Sequence, residues 1–491
     1  MRDWLAHRAR ATPTATAVIA AETGERCSYG DLDERVEELA GRLAARGLGV
    51  DDHLGVCMDT SLDFVELVHA AMRLGAVLVP LSPRLTSREL RDRLDAADVT
   101  VVVGDSETEE LLLEAVVGTQ VPVASIDSPE AGAADLRATR PETFDLPAWN
   151  DDTPQVLMFT SGTTGEPKAV VVTTGNLLSS AMASSWRLGV LPSDRWHCAL
   201  PMYHMGGLAP VYRSVCYGTA IVVEEEDFDP AATLEQMAEH DATCVSLVPT
   251  MLRRLLDAGD LPDLRFVLLG GAPAGEDLLA ACHERGVPVA PTYGMTETAS
   301  QIATAHPEDA AAELGTVGHP LMFTEVTVVG ENGAICEAGE RGELVVSGPT
   351  VTPGYYGDRS ATAASFGPHG FHTGDVGYRD EEGRFWVTGR VDDLILSGGE
   401  NIDPAEVAGV IREHADVEDV AVVGLPDEEW GERVGALVVG DLSVDALESH
   451  CRDRLAGFKR PRTVGFADAL PRTASGTVDR EAVRARLSSG E

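Results

Sequence analysis

The chain of 491 residues is long enough for roughly three domains of about 150 residues, or for one large domain with a smaller one attached. Its 80 acidic and 38 basic residues give a formal net charge of −42, which argues against a nucleic-acid partner. No apolar run reaches the roughly 18 residues of a membrane span, so no stable membrane insertion is expected, and the N-terminus lacks the apolar segment of a secretory signal.

Charge and cysteine usage indicate the compartment. The acidic residues are spread along the chain, which favours a halophilic source with molar salt, because salt screens the self-repulsion; an acidic face for a basic partner is the alternative. Only two basic residues are lysines, Lys168 and Lys459. The eight cysteines form no CxxC pair, which predicts inert thiols in a reducing cytoplasm and neither a zinc site nor a disulfide framework.

Helix and strand patterns alternate through most of the sequence. Residues 64–82 read as an apolar-periodic helix followed by a buried strand, and residues 242–259 and 264–286 each give a strand, a turn or loop and a helix. Such alternation predicts layered α/β structure with parallel strands inside. The loops at the carboxyl ends of those strands are the expected ligand sites.

From about residue 315 the pattern changes to short strands separated by turns. A compact α+β unit of roughly 100 residues follows, and the boundary is predicted near residue 390. The predicted fold class is therefore α/β. A large N-terminal domain of layered α/β sheets with a small β-rich region, residues 1–389, precedes a smaller α+β domain, residues 390–491.

The segment FTSGTTGEPKAVVVT, residues 159–173, places a lysine behind glycines, serine and threonines. The residues on both sides have strand composition, so a hairpin loop is predicted, whereas a P-loop has different spacing and opens a helix. Glycines allow close backbone approach, and hydroxyls, backbone N–H groups and the lysine attract anions. A polyphosphate site is predicted, with an ordinary polar hairpin as the alternative. Its residues are Thr160, Ser161, Gly162, Thr163, Thr164, Gly165 and Lys168.

Seven segments that cover essentially the whole chain resemble, in order, the signatures of the AMP-forming acyl-CoA synthetase, adenylation-domain and luciferase superfamily. One such loop is weak support, but seven in order are very specific. They are FTSGTTGEPKAVVVT (159–173), LLGGAP (268–273), TYGMTETAS (292–300), GELVVSGPTVTPGYYGD (342–358), FHTGDVGY (371–378), GRVDDLILSGGENIDPAEV (389–407) and LPRTASGTVDREAV (470–483).

The resemblance implies an enzyme that uses ATP, CoA and Mg²⁺. In such enzymes a carboxylate attacks the α-phosphorus of ATP, which gives an acyl-adenylate and pyrophosphate. The CoA thiolate then attacks the acyl-adenylate, which gives a thioester and AMP. The protein contributes mainly positioning and neutralisation of phosphate charge.

The resemblance also implies roles for single residues. Thr296 donates to a phosphate and Glu297 holds Mg²⁺ through hard oxygen atoms, with a capped helix start as the alternative for this pair. Asp375 accepts the ribose hydroxyls, although such an aspartate alone is more often a turn residue, and Arg390 contacts ribose or phosphate. Asp392 is the hinge about which a mobile C-terminal domain reorients. The adenine walls are Gly270, Gly271, Ala272 and Tyr293, with Gly294 as a further nucleotide-binding residue, and the CoA channel is lined by Gly398, Gly399 and Glu400.

One position departs from the family pattern. The last motif normally reads PRTxSGK, and Thr477 stands here at the lysine that bridges the carboxylate and the α-phosphate. Threonine supplies a hydrogen bond but no charge. Three explanations are open: slower adenylation, substitution by another cation, or a degenerate binding protein. The cations near this motif in sequence are Lys459, Arg460, Arg462 and Arg472.

The sequence indicates the identity of the carboxylic acid substrate less strongly. Residues 201–218 and 293–304 most resemble o-succinylbenzoate–CoA ligases of menaquinone biosynthesis, and benzoate or halobenzoate ligases are the close alternative. A flat ring with two carboxylates needs an apolar slot with polar anchors. The predicted lining residues are His204, Arg213, Ser300 and Gln301, with Arg213 for the spare carboxylate. A packed loop histidine and an ion-pair partner are the alternatives for His204 and Arg213.

The expected partners are a small-molecule carboxylic acid, ATP and CoA, and a homo-oligomer is left open. The predicted catalytic residues are Lys168, His204, Thr296, Glu297 and Arg390. An adenylation domain that loads a carrier protein is a second class of function. It is disfavoured because no GxxS attachment segment is evident after residue 484.

Overall fold

The protein divides into two compact units in its computed structural model. The first comprises residues 1–326 and 346–371, and the second comprises residues 327–345 and 372–491. The predicted domain boundary near residue 390 stays a prediction. Every helix in the described part is too short or too polar to cross a membrane. The described residues are 3–160, 167–391, 395–397, 400–402, 404–427, 430–452, 454–455, 457–473 and 478–489.

The strands are numbered in chain order. They are β1 (Thr16–Ala20), β2 (Arg26–Ser28), β3 (His53–Cys57), β4 (Val77–Leu81), β5 (Val101–Gly104), β6 (Val123–Ser125), β7 (Ala134–Asp135), β8 (Pro154–Thr160), β9 (Lys168–Thr173), β10 (Arg195–Cys198), β11 (Ala220–Val223), β12 (Cys244–Leu247), β13 (Phe266–Leu269), β14 (Val289–Tyr293), β15 (Ala303–Thr304), β16 (His319–Pro320), β17 (Glu325–Val329), β18 (Gly342–Ser347), β19 (Phe366–Gly367), β20 (Gly370–Arg379), β21 (Phe385–Arg390), β22 (Ile395–Ser397), β23 (Glu400–Ile402), β24 (Val417–Asp427), β25 (Gly431–Gly440) and β26 (Thr463–Phe466).

The helices are numbered in the same way, and two single 3₁₀ turns span Thr296–Thr298 and Gly457–Lys459. The α-helices are α1 (Trp4–Ala11), α2 (Tyr29–Ala44), α3 (Leu62–Leu74), α4 (Ser87–Ala96), α5 (Glu109–Ala115), α6 (Thr174–Leu188), α7 (Met205–Tyr217), α8 (Pro230–Glu239), α9 (Pro249–Ala258), α10 (Glu276–Glu284), α11 (Pro307–Ala312), α12 (Arg359–Ser365), α13 (Pro404–Arg412), α14 (Val444–Arg452) and α15 (Arg480–Ser489).

Local capping chemistry sets several helix ends. Ser28, Thr86 and Thr173 precede α2, α4 and α6, and each forms a capping box with the residue three positions on. These boxes satisfy backbone N–H groups that a helix start leaves without partners. Gly75 ends α3 in the left-handed region, at a φ of 75°, where a side chain would be strained.

Two large sheets organise the first unit. One has the order β16-β15-β14-β13-β12-β10-β11-β1-β2, and its strands from β14 to β1 are all parallel. The other has the order β7-β6-β5-β3-β4-β8-β9 and is parallel except for the final β8–β9 pair. The predicted parallel interior is therefore confirmed.

A shared apolar core joins the two sheets. Val18 of β1 and Val56 of β3 belong to one buried cluster with Leu39 of α2, Phe64 of α3 and Val211 of α7. Each of these side chains is at most 2% exposed. Helices that bury their apolar faces against both sheets produce the layered α/β architecture that the alternating pattern predicts. The predicted fold class is confirmed.

The second unit contains most of β18, β20 and β21, which pair in that order, and a separate five-stranded sheet. The order of the separate sheet is β23-β22-β25-β24, with β26 added in parallel beside β25. Successive side chains of β24 bury on opposite faces, as the period of two in a strand requires. Val420 and Val422 pack in a cluster with α13, whereas Ala421 and Val423 pack in a cluster with α15. Helices therefore cover both faces of this sheet.

Candidate active site

Several predicted nucleotide residues of the first unit, and His204 of the predicted acid site, follow neighbouring parallel strands. The loop after β10 leads to His204, residues 270–272 follow β13, and Gly294 follows β14. Since β10, β12, β13 and β14 are parallel neighbours, their carboxyl ends lie at one edge of the sheet. Such an edge is where open α/β sheets bind ligands. The topology thus brings these predicted residues to one side of the molecule.

Backbone packing at Gly294 and backbone conformation at Gly271 explain two of the predicted nucleotide-binding glycines. A Cβ on Gly294 would overlap the carbonyl oxygen of Ser300, so any side chain there would displace the chain. Gly271 is exposed and has a φ of +78°, a conformation that favours glycine. Ala272 is exposed beside it, while Gly270 and Tyr293 are half-buried. Gly271 and Ala272 are therefore exposed without offering a reactive side chain.

Glu297 lies in a single 3₁₀ turn, not at the start of an α-helix, and its side chain is buried. Tyr355 Oη donates a hydrogen bond to Glu297 Oε1 at 3.1 Å. The Thr352 backbone N–H donates to the Glu297 carbonyl oxygen at 2.7 Å. The turn also carries Thr296, which is half-buried. Glu297 is therefore held by one hydrogen bond to its side chain and one to its backbone.

The residues after this turn have unusual backbone conformations. Ala299 has a φ of 50° and Ser300 a φ of 107°, in the region that non-glycine residues rarely adopt. Ser180 Oγ donates to the Ala299 carbonyl oxygen at 2.7 Å, and Arg213 Nη2 donates to Ser180 Oγ at 3.0 Å. Strain of this kind persists only where surrounding contacts hold it. Arg213 and Ser180 provide such contacts.

Arg213 itself lies in the interior and is only 3% exposed. Burial lowers the pKa of its guanidinium, with Tyr217 acting in the opposite direction. Its Nε has no hydrogen-bond partner among the described residues. Gln301 is equally buried, and its amide nitrogen donates to Thr304 Oγ1 at 2.8 Å. The roles predicted for both residues in binding the acid stay predictions.

His204 is the residue immediately before α7 and is exposed. Its ring meets Tyr203 edge-on with the centroids 4.9 Å apart. Partial desolvation by the surrounding protein, followed by repulsion from Arg93 and Arg84, lowers the pKa of the imidazole. The uncharged ring is therefore favoured.

The predicted phosphate hairpin is formed by an antiparallel strand pair. Thr160 ends β8 and Lys168 begins β9, and the two residues face each other in register. Lys168 Nζ lies 5.2 Å from the centroid of the Tyr355 ring. Five residues predicted to hold phosphate lie between the strands and outside the described part of the chain: Ser161, Gly162, Thr163, Thr164 and Gly165.

In the second unit, Asp375 and Arg390 face each other on β20 and β21. Arg390 Nη1 donates to Asp375 Oδ1 at 3.0 Å, and Arg390 Nη2 donates to the Thr373 carbonyl oxygen at 3.3 Å. Thr373 Oγ1 in turn accepts the Asp375 backbone N–H at 3.0 Å. The structure therefore brings together the two residues predicted to contact ribose.

Glu343 supports the turn that leads into Asp375. Its Oε1 accepts the Gly374 backbone N–H at 3.0 Å, and its Oε2 lies 2.7 Å from His372 Nδ1. A Cβ on Gly374 would lie 2.9 Å from Arg390 Nη2, so glycine keeps space for the arginine. Glu343 was not predicted from sequence, because nothing in its own neighbours indicates a partner in the HTGD segment.

Lys459 is held by an acidic partner. Its Nζ donates to both carboxylate oxygens of Glu406, at 2.6 and 2.8 Å. The Glu406 carboxylate therefore opposes the charge that the ammonium would offer in place of the lysine absent at position 477. Glu400 begins β23 opposite Ser397. The predictions for Asp392, Gly398, Gly399 and Thr477 fall outside the described residues.

The Glu297 carboxylate fits the requirements of Mg²⁺. The ion prefers oxygen ligands and is usually held by one or two carboxylates together with substrate phosphates and water. In the described part of the chain, no three His, Cys, Asp or Glu side chains form a cage that would hold a metal alone. Glu297 as a single protein ligand agrees with a metal ion that arrives with a nucleotide.

Comparison with known proteins defines the family. Residues 5–356 match the AMP-binding enzyme family, and residues 406–477 match the AMP-binding enzyme C-terminal domain. Because the first match alone covers more than half of the sequence, the chain belongs to the AMP-binding enzyme family. The resemblance found in the seven sequence segments is confirmed.

The relatives are similar over their whole length. A 2-succinylbenzoate–CoA ligase of Listeria monocytogenes is 38% identical, over 99% of this chain and 100% of its own. The o-succinylbenzoate CoA synthetase of Bacillus subtilis, solved with the acyl-adenylate intermediate OSB-AMP, is 36% identical with a TM-score of 0.91, over 99% of this chain and 98% of its own. The same enzyme solved with ATP and a magnesium ion has a TM-score of 0.90, at 36% identity and with 99% of each chain covered.

Proposed function

We propose that this protein is an ATP-dependent, AMP-forming 2-succinylbenzoate–CoA ligase that requires Mg²⁺. The observation that carries the proposal is the full-length similarity, in sequence and fold, to a synthetase solved with its acyl-adenylate. The arrangement of Lys168, Glu297 and the loops after the parallel strands supports it. A benzoate or halobenzoate ligase is the alternative, because the nucleotide residues do not discriminate between acids.

The reaction proceeds in two steps. A carboxylate oxygen of the acid bonds to the α-phosphorus of ATP while the bond from that phosphorus to pyrophosphate breaks. The CoA sulfur then bonds to the acyl carbon while the carbon–oxygen bond to AMP breaks. The first step replaces a poor leaving group with AMP, so the thiolate then meets a reactive acyl donor.

The chain positions the nucleotide with few charged groups. Lys168 and the hairpin hydroxyls bind phosphate, Thr296 donates to it, and Asp375 with Arg390 binds ribose. Glu297 would hold Mg²⁺, which neutralises phosphate charge when bound. The C-terminal domain moves about Asp392, and Gly398, Gly399 and Glu400 then line the CoA channel. Positioning and electrostatic stabilisation are the main contributions that such a reaction needs.

We place the acid beside His204 and the Ser300–Gln301 segment. The favoured neutral state of His204 supports contact with a flat ring. The guanidinium of Arg213 is the cation proposed to bind the spare carboxylate. The alternative is that Arg213 only supports the site, as its hydrogen bond to Ser180 indicates.

A panel of acids tests the proposed function. Purified protein in molar KCl is assayed for AMP and CoA thioester with 2-succinylbenzoate and benzoate, each with and without CoA. We expect both products with 2-succinylbenzoate and CoA. Faster turnover of benzoate would reassign the acid. AMP that appears only with a carrier protein would indicate a loading domain, and no AMP with any acid would indicate a binding protein.

The proposed setting is a reducing, salt-rich cytoplasm. All eight cysteines are free thiols, and all but Cys216 are buried. Burial raises the pKa of the Cys198 thiol to about 12, so this group stays protonated and unreactive. Activity and unfolding followed from low to molar KCl test the halophilic assignment. A protein equally stable without salt would contradict it.

The face of α6 supports a proposed association between copies of the chain. Leu178, Met182 and Trp186 are one turn apart along this helix and are 36%, 44% and 68% exposed. Residues 167–193 contain no aspartate or glutamate, so two strongly acidic copies repel least at this face. Sedimentation in molar KCl should detect a dimer that Trp186→Glu dissociates and Val117→Glu, at another exposed apolar position, leaves intact. A monomer at all concentrations would refute the association.

A further inference from the structure

Tyr355 contacts both charged side chains of the proposed phosphate site in the first unit. Lys168 Nζ lies 5.2 Å from the centroid of its ring, and its hydroxyl donates to Glu297 Oε1 at 3.1 Å. The two contacts use opposite polarities of one side chain. The ring face is negative and attracts the ammonium, while the O–H group is positive and attracts the carboxylate.

The backbone around this tyrosine is tied to the same two elements. Residues 352–356 run beside β9, which begins with Lys168, and backbone hydrogen bonds of 2.8 and 3.0 Å join the two segments. The Thr352 N–H donates to the Glu297 carbonyl oxygen at 2.7 Å. The position of the Tyr355 ring is therefore set by the strand that carries the lysine and by the turn that carries the glutamate.

We propose that Tyr355 is a positioning residue for Mg²⁺-ATP, through its separate contacts with Lys168 and Glu297. The ring holds the ammonium where phosphate oxygens bind, and the hydroxyl sets the rotation of the carboxylate toward the metal ion. The inference rests on the roles proposed above for Lys168 and Glu297. Because Mg²⁺ demands near-ideal octahedral geometry, loss of the hydroxyl affects the metal-bound nucleotide more than ATP alone.

The next residue provides a matched control. Tyr356 Oη donates to Asp98 Oδ2 at 2.9 Å, and its ring meets His53 edge-on with the centroids 5.1 Å apart. It therefore makes the same kind of phenol-to-carboxylate bond without contacting Lys168 or Glu297 through those groups. Tyr356→Phe therefore removes a comparable hydrogen bond from a packed tyrosine, but we expect it to leave Mg²⁺-ATP binding unchanged.

The test measures ATP binding by calorimetry in molar KCl, with and without Mg²⁺, on the full chain. Tyr355→Phe should weaken Mg²⁺-ATP binding about 3- to 10-fold, the usual range for one hydrogen bond, and leave metal-free ATP binding unchanged. Tyr355→Leu should weaken binding in both conditions, because the ring face is lost as well. Tyr356→Phe should match the unmodified protein in both.

Two outcomes would overturn the proposal. One is equal binding by Tyr355→Phe and Tyr356→Phe with Mg²⁺ present, and the other is an equal loss by Tyr355→Phe with and without the metal. Lys168→Met and Glu297→Gln are measured in parallel. If Lys168→Met and Glu297→Gln bind Mg²⁺-ATP normally, the proposed phosphate site is wrong. If those two variants bind weakly while the Tyr355 variants bind normally, only the role proposed for Tyr355 is wrong. Circular dichroism of each variant verifies that it is folded.

Discussion

Arg390 Nη1 donates to Asp375 Oδ1 at 3.0 Å from the neighbouring strand, so the carboxylate proposed to accept the ribose hydroxyls is already oriented by a cation. The same guanidinium also reaches the Thr373 carbonyl oxygen. The pair is therefore organised within the second unit by local strand register. An arginine in this position acts on the aspartate as well as on any nucleotide it contacts.

Loss of this arginine should weaken use of ATP. Arg390→Gln removes a charge-assisted hydrogen bond from Asp375, and we expect kcat/KM for ATP to fall roughly 10- to 100-fold, which is about 1.5–3 kcal/mol. Arg384→Gln is the control, because Arg384 bonds to Asp380 at 2.7 Å in the same unit. Steady-state kinetics with ATP varied would contradict the prediction if the two variants behaved alike.

The two lysines give a natural comparison. Lys168→Met should lower kcat/KM for ATP roughly 10- to 100-fold through loss of a phosphate-binding charge. Lys459→Met removes a charge that Glu406 already neutralises, so we expect little change in adenylation. Pyrophosphate release measures both. A larger loss in Lys459→Met would indicate that this lysine compensates for the absent one.

Thr477 allows a gain of function. Thr477→Lys restores the charge that the family places between the carboxylate and the α-phosphate, and it should speed acyl-adenylate formation about 10-fold or more. Thr477→Met, which is long but neutral, is the control and should not. Single-turnover formation of acyl-adenylate measures this step. An unchanged rate in Thr477→Lys would mean that the missing charge is already compensated.

Kinetics with two acids can distinguish the two roles considered for Arg213. If the guanidinium binds the spare carboxylate directly, Arg213→Met should raise the KM for 2-succinylbenzoate about 10-fold without affecting benzoate. If Arg213 supports the Ala299 carbonyl through Ser180, then Ser180→Ala should reproduce the effect of Arg213→Met on both acids. Kinetics with the two acids distinguishes direct binding from support.

Acid stability should depend on His69. This residue is buried, and neither ring nitrogen has a hydrogen-bond partner among the described residues. Burial lowers the pKa of His69 to about 4, with Asp3 opposing the shift and Arg73 adding to it. His69 is therefore protonated below about pH 6.5 in the unfolded chain, but only below about pH 4 in the folded chain. Because the unfolded chain binds this extra proton between the two values, the free energy of unfolding falls as the pH is lowered from 6.5 to about 4.

Replacing His69 should remove that loss. Between about pH 6.5 and 4, the free energy of unfolding of His69→Gln should fall less steeply than that of the unmodified protein, by up to about 1.4 kcal/mol per pH unit. His283→Gln, at an exposed position of α10, is the control. Denaturant unfolding at each pH measures the slopes. Equal slopes in all three proteins would refute a contribution from His69.

Much of the fold was predictable because the signals are local. The helix and strand predicted over residues 64–82 correspond to α3 and β4, and the strand and helix predicted over residues 264–286 correspond to β13 and α10. The strands on each side of the phosphate loop pair antiparallel as predicted. Side-chain periodicity and turn chemistry operate over a few residues, so the sequence reveals them directly.

The supporting residues of the site were not predictable in the same way. Tyr355 and Ser180 contact site residues that are distant in the chain, and Glu343 contacts Gly374 beside Asp375. The sequence neighbours of these three residues carry no sign of the contacts. Tyr355 lies in a segment that resembles the family, but tyrosine in a turn is ordinary. Its contacts with Lys168 and Glu297 arise only where residues 352–356 run beside β9.

By itself, the sequence determined the layered α/β class, the order of the seven family segments and the acidic character of the chain, since each follows from composition or short-range pattern. The tertiary structure alone decided that Arg213 is buried against Ser180, that Glu406 neutralises Lys459 and that Tyr355 links a cation to a carboxylate. The physical reason is that hydrogen bonds and cation–π contacts act over a few ångströms. Which residues come that close depends on the path of the whole chain.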